Sequence, residues 1–194
     1  MSQTINLNIK QIFDLAFENQ NKKNYQVAIM LYEKINETDP KIKNVQFNLG
    51  TIYEEINETQ KAIDCYERVI NIDPLFIHSY NNIGLIFLKL GQKEKAIKYF
   101  NKIIEINPNY SKAYNNLGTI FVDQGKYKEA VENYVAALES DNGNKIALNN
   151  LISALNHVLP VANHPIIEAN KKLKKISSNS NIENLLNHNN LKIY

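Results

Sequence analysis

Apolar residues recur along this chain three or four positions apart, and the whole pattern then returns every 34 residues. Tyr80-Asn81-Asn82-Ile83-Gly84 comes back as Tyr114-Asn115-Asn116-Leu117-Gly118, and one period upstream it reads Gln46-Phe47-Asn48-Leu49-Gly50. Ile12-Phe13-Asp14-Leu15-Ala16 lies one period further back. An alanine keeps its phase at Ala28, Ala62, Ala96 and Ala130, each followed four residues later by an aromatic: Tyr32, Tyr66, Phe100 and Tyr134. Pro40, Pro74 and Pro108 close three of the units, and no segment shows the two-residue alternation of a strand.

Each unit therefore predicts a helix, a turn and a second helix. The small residues Gly84, Ala96, Gly118 and Ala130 let the two helices of a hairpin approach, while Ile83, Phe87, Phe100 and Ile104 fill the space around them. One hairpin cannot bury such a face alone, so the units must stack. Gly91 and Gly125 fall where the first helix ends in a left-handed residue; Asn57 tolerates that conformation, and Lys23 is the poorest of the four choices.

This pattern resembles the tetratricopeptide repeat family, whose unit is a 34-residue helical hairpin. The resemblance implies an all-α, right-handed superhelical solenoid of about four repeats, at 9–42, 43–76, 77–110 and 111–144, after an N-terminal extension 1–8. The departures are Gln46 for a large apolar residue, Asn19 for an aromatic, Asn142 for the closing proline, and the bulky Ile35, Val69 and Ile103 at a usually small position. They bear on local packing and not on the fold. Beyond residue 144 a first-helix pattern returns once, with Asn149-Asn150-Leu151, and Pro160 and Pro165 then interrupt it. A partial repeat and capping helix are expected over 145–176, with Ile166, Ala169, Leu173 and Ile176 on one side and Lys171, Lys172, Lys174 and Lys175 on the other. Ser177-Ser178-Asn179-Ser180-Asn181 reads as a linker that opens a flexible tail, 177–194.

Composition narrows the partners. Lys and Arg number 22 against 20 for Asp and Glu, a balance with no general pull toward nucleic acid or an anionic membrane. The single Cys65 forms no internal disulfide, the N-terminus lacks a signal-peptide pattern, and no stretch approaches the roughly 20 apolar residues that span a bilayer. A soluble, cytoplasmic protein is expected. Asparagine is abundant, and Asn101, Asn107 and Asn133 fall where any polar residue would serve.

Catalytic chemistry is not written in the chain. His157 and His164 lie near one another, but no carboxylate or cysteine joins them at metal-ligand spacing, and nothing orients a base toward Cys65. No glycine-rich phosphate loop follows a strand. No enzyme, metal site or cofactor is expected.

The resemblance implies that first helices line a concave groove through the second, fifth, sixth, ninth, twelfth and thirteenth positions of each repeat. Those positions place Phe13, Phe17 and Phe47 toward the N-terminal end and Asn81, Asn82, Asn115, Asn116, Asn149 and Asn150 toward the C-terminal end, with sparse charge of mixed sign. Asn48, Asn82, Asn116 and Asn150 form a column at one spacing. A carboxamide offers both donor and acceptor, so a row of them suits the backbone of an extended peptide. The repeat domains of O-linked N-acetylglucosamine transferases, which the Tyr-Asn-Asn-Leu-Gly stretches resemble, use such a ladder. The competing role for the column is docking neighbouring helices. The family's carboxylate clamp for chaperone tails would fall on Phe47, Thr51, Asn82, Lys112 and Asn116, of which only Asn82 and Lys112 fit. The expected function is a scaffold that binds another protein or peptide, with no nucleic acid and no membrane. The alternative is the N-terminal targeting half of a longer transferase or oxygenase.

Overall fold

The computed structural model describes residues 8–158, and all regular structure among them is helical. The order is α1 (Ile9–Asn21), α2 (Tyr25–Thr38), α3 (Lys43–Glu55), α4 (Thr59–Ile72), α5 (Ile77–Lys89), α6 (Lys93–Ile106), α7 (Ser111–Asp123), α8 (Tyr127–Ser140) and α9 (Lys145–Val158). The capping helix expected up to 176, the tail 177–194, His164 and the Lys171 to Lys175 cluster lie outside the described residues. By its contacts the chain divides into two compact units, Met1–Lys89 and Leu90–Tyr194. In a repeat array each hairpin touches only its neighbours, so no single centre gathers the contacts.

In the first unit α1 packs on α2, α3 on α2 and α4, and α5 on α4. Asn8 starts α1 with a reciprocal cap: its side chain accepts the Gln11 N–H at 2.9 Å, and the Gln11 side chain accepts the Asn8 N–H at 2.9 Å. Ile12, Ala16, Tyr32, Ile35, Val45, Leu49 and Ile52 form the core. The Tyr66 ring lies against Gly50 so closely that a β-carbon there would stand 2.6 Å from the ring. Gln46, at a position where an apolar side chain is expected, is almost fully buried. Its amide nitrogen bonds Asn36 Oδ1, while its own Oε1 finds no partner. The substitution is accommodated by a second polar residue across the interface, at the cost of one orphaned acceptor.

In the second unit α7 packs between α6 and α8, and α9 packs on α8. Val131, Tyr134, Leu138, Leu148, Leu151 and Leu155 make its core. Tyr134 covers Gly118 as Tyr66 covers Gly50, with a β-carbon at 118 only 2.5 Å from the ring. Ser111 Oγ donates to the Ala137 carbonyl at 2.8 Å and accepts from Asn144 Nδ2 at 2.8 Å, tying α7 to α8 and to the turn before α9.

The turns follow the repeat. Lys23, Asn57, Gly91 and Gly125 have φ of 61°, 62°, 70° and 71°, so a lysine holds the conformation that glycine supplies elsewhere. Between repeats, a carboxylate or amide oxygen accepts the N–H two residues on: Asp39 from Lys41 at 3.0 Å, Asp73 from Leu75 at 3.2 Å, Asn107 from Asn109 at 3.0 Å and Asp141 from Gly143 at 3.0 Å. Asn107 is therefore not a place where any polar residue would serve, because only Asp or Asn makes this turn well. The same bond explains how the fourth unit closes with Asn142 where the others have proline.

Two substitutions separate these constraints. Gly118→Ala gains about 1 kcal/mol of helix propensity but overpacks the Tyr134 ring by about 1–3 kcal/mol, so a net loss of stability is expected. Lys23→Gly relieves a left-handed lysine and is expected to stabilise by up to about 1 kcal/mol. Urea denaturation midpoints check both; equal or higher stability of the alanine variant would contradict the close approach.

Candidate functional site

In the first unit the predicted residues sit in a network that holds helices together. Asn48 Nδ2 donates to the Tyr32 hydroxyl at 2.8 Å, and that hydroxyl donates to Gln20 Oε1 at 3.0 Å. Gln20 Nε2 donates to Thr51 Oγ1 at 2.9 Å, and Thr51 Oγ1 returns to the Asn48 carbonyl at 2.8 Å. The ring of bonds is closed, linking α1, α2 and α3. One period on, the Tyr66 hydroxyl donates to Glu54 Oε2 at 3.3 Å, while Glu54 Oε1 pairs with Lys89 at 2.9 Å. Asn81 Nδ2 reaches Asn82 Oδ1 at 3.5 Å.

The three phenylalanines differ in what they leave exposed. Phe13 meets Tyr32 edge-on with centroids 5.5 Å apart. Phe47 sits between Tyr66 at 5.6 Å and Phe76 at 5.2 Å. Both are half-buried aromatic packing. Phe17 is 48% exposed, so most of the apolar surface offered to a partner among the three is its own. Beside this face, Gln20, Asn21, Lys23, Tyr25, Thr51, Ile52 and Glu55 line an open cleft of about 310 Å³. None of the predicted phenylalanines or column asparagines lines it, and of its polar groove positions the sequence reading singled out only Thr51, where a carboxylate clamp does not fit.

The second unit arranges its amides differently. Asn150 Nδ2 donates to Asn115 Oδ1 at 3.1 Å, joining α9 to α7. Tyr134 donates to Thr119 Oγ1 at 3.3 Å, and Thr119 in turn donates to the Asn115 carbonyl at 3.0 Å. Asn116 is half-buried and has no hydrogen bond among the described residues. The tyrosine of the earlier rungs is replaced at the equivalent place by Phe100, fully buried and without a hydroxyl. Lys112 is exposed, and Lys93 pairs with Asp123 at 3.3 Å.

Among the described residues no group of three or more His, Cys, Asp or Glu could hold a metal ion, and no helix is long and apolar enough to cross a membrane. Cys65 is buried, and burial pushes its thiol up to about 11, away from a nucleophilic thiolate. His157 stacks on Tyr127, with ring centroids 4.5 Å apart and planes 8° from parallel.

Comparison with known proteins agrees with this geometry. The tetratricopeptide repeat model matches residues 44–76 and 78–110, and a second model of the same repeat matches 9–33. A crystal structure of MamA is 27% identical over 70% of this chain and 79% of its own, with a TM-score of 0.65. A second MamA structure, 23% identical, covers 88% of this chain and 90% of its own at a TM-score of 0.69. The structure described as YrrB, a TPR protein with an unusual peptide-binding site, is 19% identical, covers 90% of this chain and 89% of its own, and has a TM-score of 0.64. A weak match to the Est1 DNA/RNA binding domain spans 96–193, much of it outside the described residues. No curated protein matches. The chain belongs to the tetratricopeptide repeat family: its fold is an all-α repeat solenoid, and its class is that of protein-interaction scaffolds.

The buried phenols make stability depend on alkaline pH. Burial first of all pushes Tyr32 up to about 12, with the Asn48 bond opposing, and pushes Tyr66 upward in the same way. An unfolded tyrosine titrates near 10, so the unfolded chain loses these protons first. The contribution is whole below about pH 10 and is lost as pH rises through the folded values. Melting temperature is expected to fall steeply from about pH 10 upward; no change before the bulk of tyrosine absorbance has titrated would contradict buried phenols.

Proposed function

We propose that the protein is a scaffold whose concave first-helix face holds an extended peptide segment of a partner protein. The observation that carries this reading is a half-buried asparagine at the same phase of successive first helices, Asn48 and Asn82 in the first unit and Asn116 and Asn150 in the second, with Asn81 and Asn115 preceding two of them, in a family of interaction scaffolds. Asn48 donates one amide hydrogen to Tyr32 and keeps its second N–H and its oxygen for another partner. Phe17 supplies the apolar anchor, with Phe13 and Phe47 as its neighbours in the groove reading. YrrB, which shares the fold, is described as having an unusual peptide-binding site, which supports a peptide as the class of ligand. Catalysis, nucleic acid and membrane have no place in this reading, since Lys112 and the paired Lys93 and Asp123 leave the α7 face without the surplus of cations that phosphate contacts need.

Each amide-to-backbone bond contributes about 1 kcal/mol net and an apolar anchor about 2 kcal/mol, against the ordering of a flexible peptide. Affinity of micromolar order or weaker follows, with little side-chain preference and little dependence on salt. The test is selection from a random-peptide library against the full chain, followed by calorimetry of the selected peptides at about 50 and about 300 mM salt. Uncharged peptides whose affinity changes less than about threefold are expected. Enrichment of acidic peptides or nucleic acid with steep salt dependence, or no enrichment at all, would overturn the reading.

A further inference from the structure

We infer that Asn142 and Gly143, in the turn between α8 and α9, are a site of spontaneous deamidation whose isoaspartate product uncaps α9. The inference does not depend on the groove reading. Four turns between repeats share one geometry, in which the side-chain oxygen of Asp39, Asp73, Asn107 or Asp141 accepts the N–H two residues on. The residue between is Pro40, Pro74 or Pro108 in three of them and Asn142 in the fourth. The N–H itself comes from Lys41, Leu75, Asn109 and Gly143 respectively. Only the fourth turn therefore sets a carboxamide directly before a main-chain nitrogen that no side chain screens. Asn142 is also the only asparagine in the sequence that glycine follows, and both residues are exposed to water.

The chemistry needs no enzyme. Once hydroxide or buffer base takes its proton, the Gly143 nitrogen attacks Asn142 Cγ and closes a succinimide ring; the Cγ–Nδ2 bond breaks, and the nitrogen leaves as ammonia. Water then opens the ring. Opening at Cγ gives aspartate, and opening at the α-carbonyl gives isoaspartate, whose main chain runs through Cβ and Cγ. One water is consumed and one ammonia released, with no oxidation or reduction. The fold restrains the step at one point: Asp141 Oδ1 holds the attacking N–H at 3.0 Å, so the pair reacts when that bond opens.

The product falls on the joint that seats α9. The Asn144 N–H donates to the Asp141 carbonyl at 3.1 Å across residues 142 and 143, and isoaspartate lengthens that span by a methylene and adds a carboxylate. Asn144 caps α9 by accepting the Ala147 N–H at 3.0 Å, and its Nδ2 ties the turn to α7 through Ser111 Oγ at 2.8 Å. Both bonds depend on where the turn delivers Asn144.

The full chain is aged in neutral and in mildly alkaline buffer, and its tryptic peptide 129–145 is read by fragmentation mass spectrometry, with Asn133 and Asn144 as internal references. Asn142 is expected to exchange NH2 for OH on the order of tenfold faster than either reference, and faster still at the higher pH. Isoaspartate, detected with an isoaspartyl methyltransferase, is the expected main product. Gly143 lacks a left-handed φ, and a β-carbon there would come no closer than 3.4 Å to Asp141 Oδ1, so alanine fits the turn. Gly143→Ala is therefore expected to slow Asn142 to the rate of the references while the melting temperature moves by less than about 2 °C. Asp141→Ala, which frees the N–H, is expected to age severalfold faster than wild type. The isoaspartate fraction, separated by its added negative charge, is expected to melt about 2–4 °C below fresh protein, as the loss of one cap implies. Asn142 reacting no faster than the references, or equally fast with alanine at 143, overturns the site. An isoaspartate fraction that melts with fresh protein overturns the uncapping. If Asp141→Ala melts far below wild type, the other comparisons decide alone.

Discussion

The contact on which the rest depends is an aromatic ring pressed against a residue with almost no side chain. Tyr66 on Gly50 and Tyr134 on Gly118 leave no room for a β-carbon, so the two helices of a hairpin are brought to the closest separation their backbones allow. That approach buries the ring while its polar end emerges at the edge of the hairpin. In the first repeat the Tyr32 hydroxyl emerges beside the first helix of the following repeat, where Asn48 donates to it. Packing within one hairpin thus sets the hydrogen bonding between hairpins.

From this follows a division of labour that sequence spacing alone does not show. The column asparagines share one phase, but their partners do not. Asn48 closes a four-residue ring, Asn82 accepts from its neighbour Asn81, and Asn150 ties α9 to Asn115. Asn116 alone of the four has no described partner. The same residue type at one phase therefore serves cohesion in different ways at different rungs.

The helical hairpins, their turns and most core positions were legible in the sequence because they rest on spacing that a stacked repeat enforces. Lys23 could be named as the strained turn from the company of Asn57, Gly91 and Gly125 in phase with it. The Asp and Asn turns at 39, 73, 107 and 141 share the 34-residue phase but were not read as turns, because proline follows three of them and accounts for the helix stop by itself. The phenylalanines were legible as groove positions, but not the aromatic neighbours that half-bury Phe13 and Phe47, since ring contacts join residues far apart in the chain. The exchange of tyrosine for Phe100 was visible from the start. What each tyrosine hydroxyl bonds was not legible, because Tyr32 takes a hydrogen from Asn48 while Tyr134, at the same phase, donates to Thr119.

The central claim is that the Tyr32 hydroxyl, and not its ring position as such, engages Asn48. A double-mutant cycle on stability tests it most directly: Tyr32→Phe and Asn48→Ala, singly and together, against Phe100→Leu and Asn116→Ala. The account predicts a coupling of about 1 kcal/mol for the first pair and a coupling within about 0.3 kcal/mol of zero for the second. Equal coupling in the two pairs would contradict it.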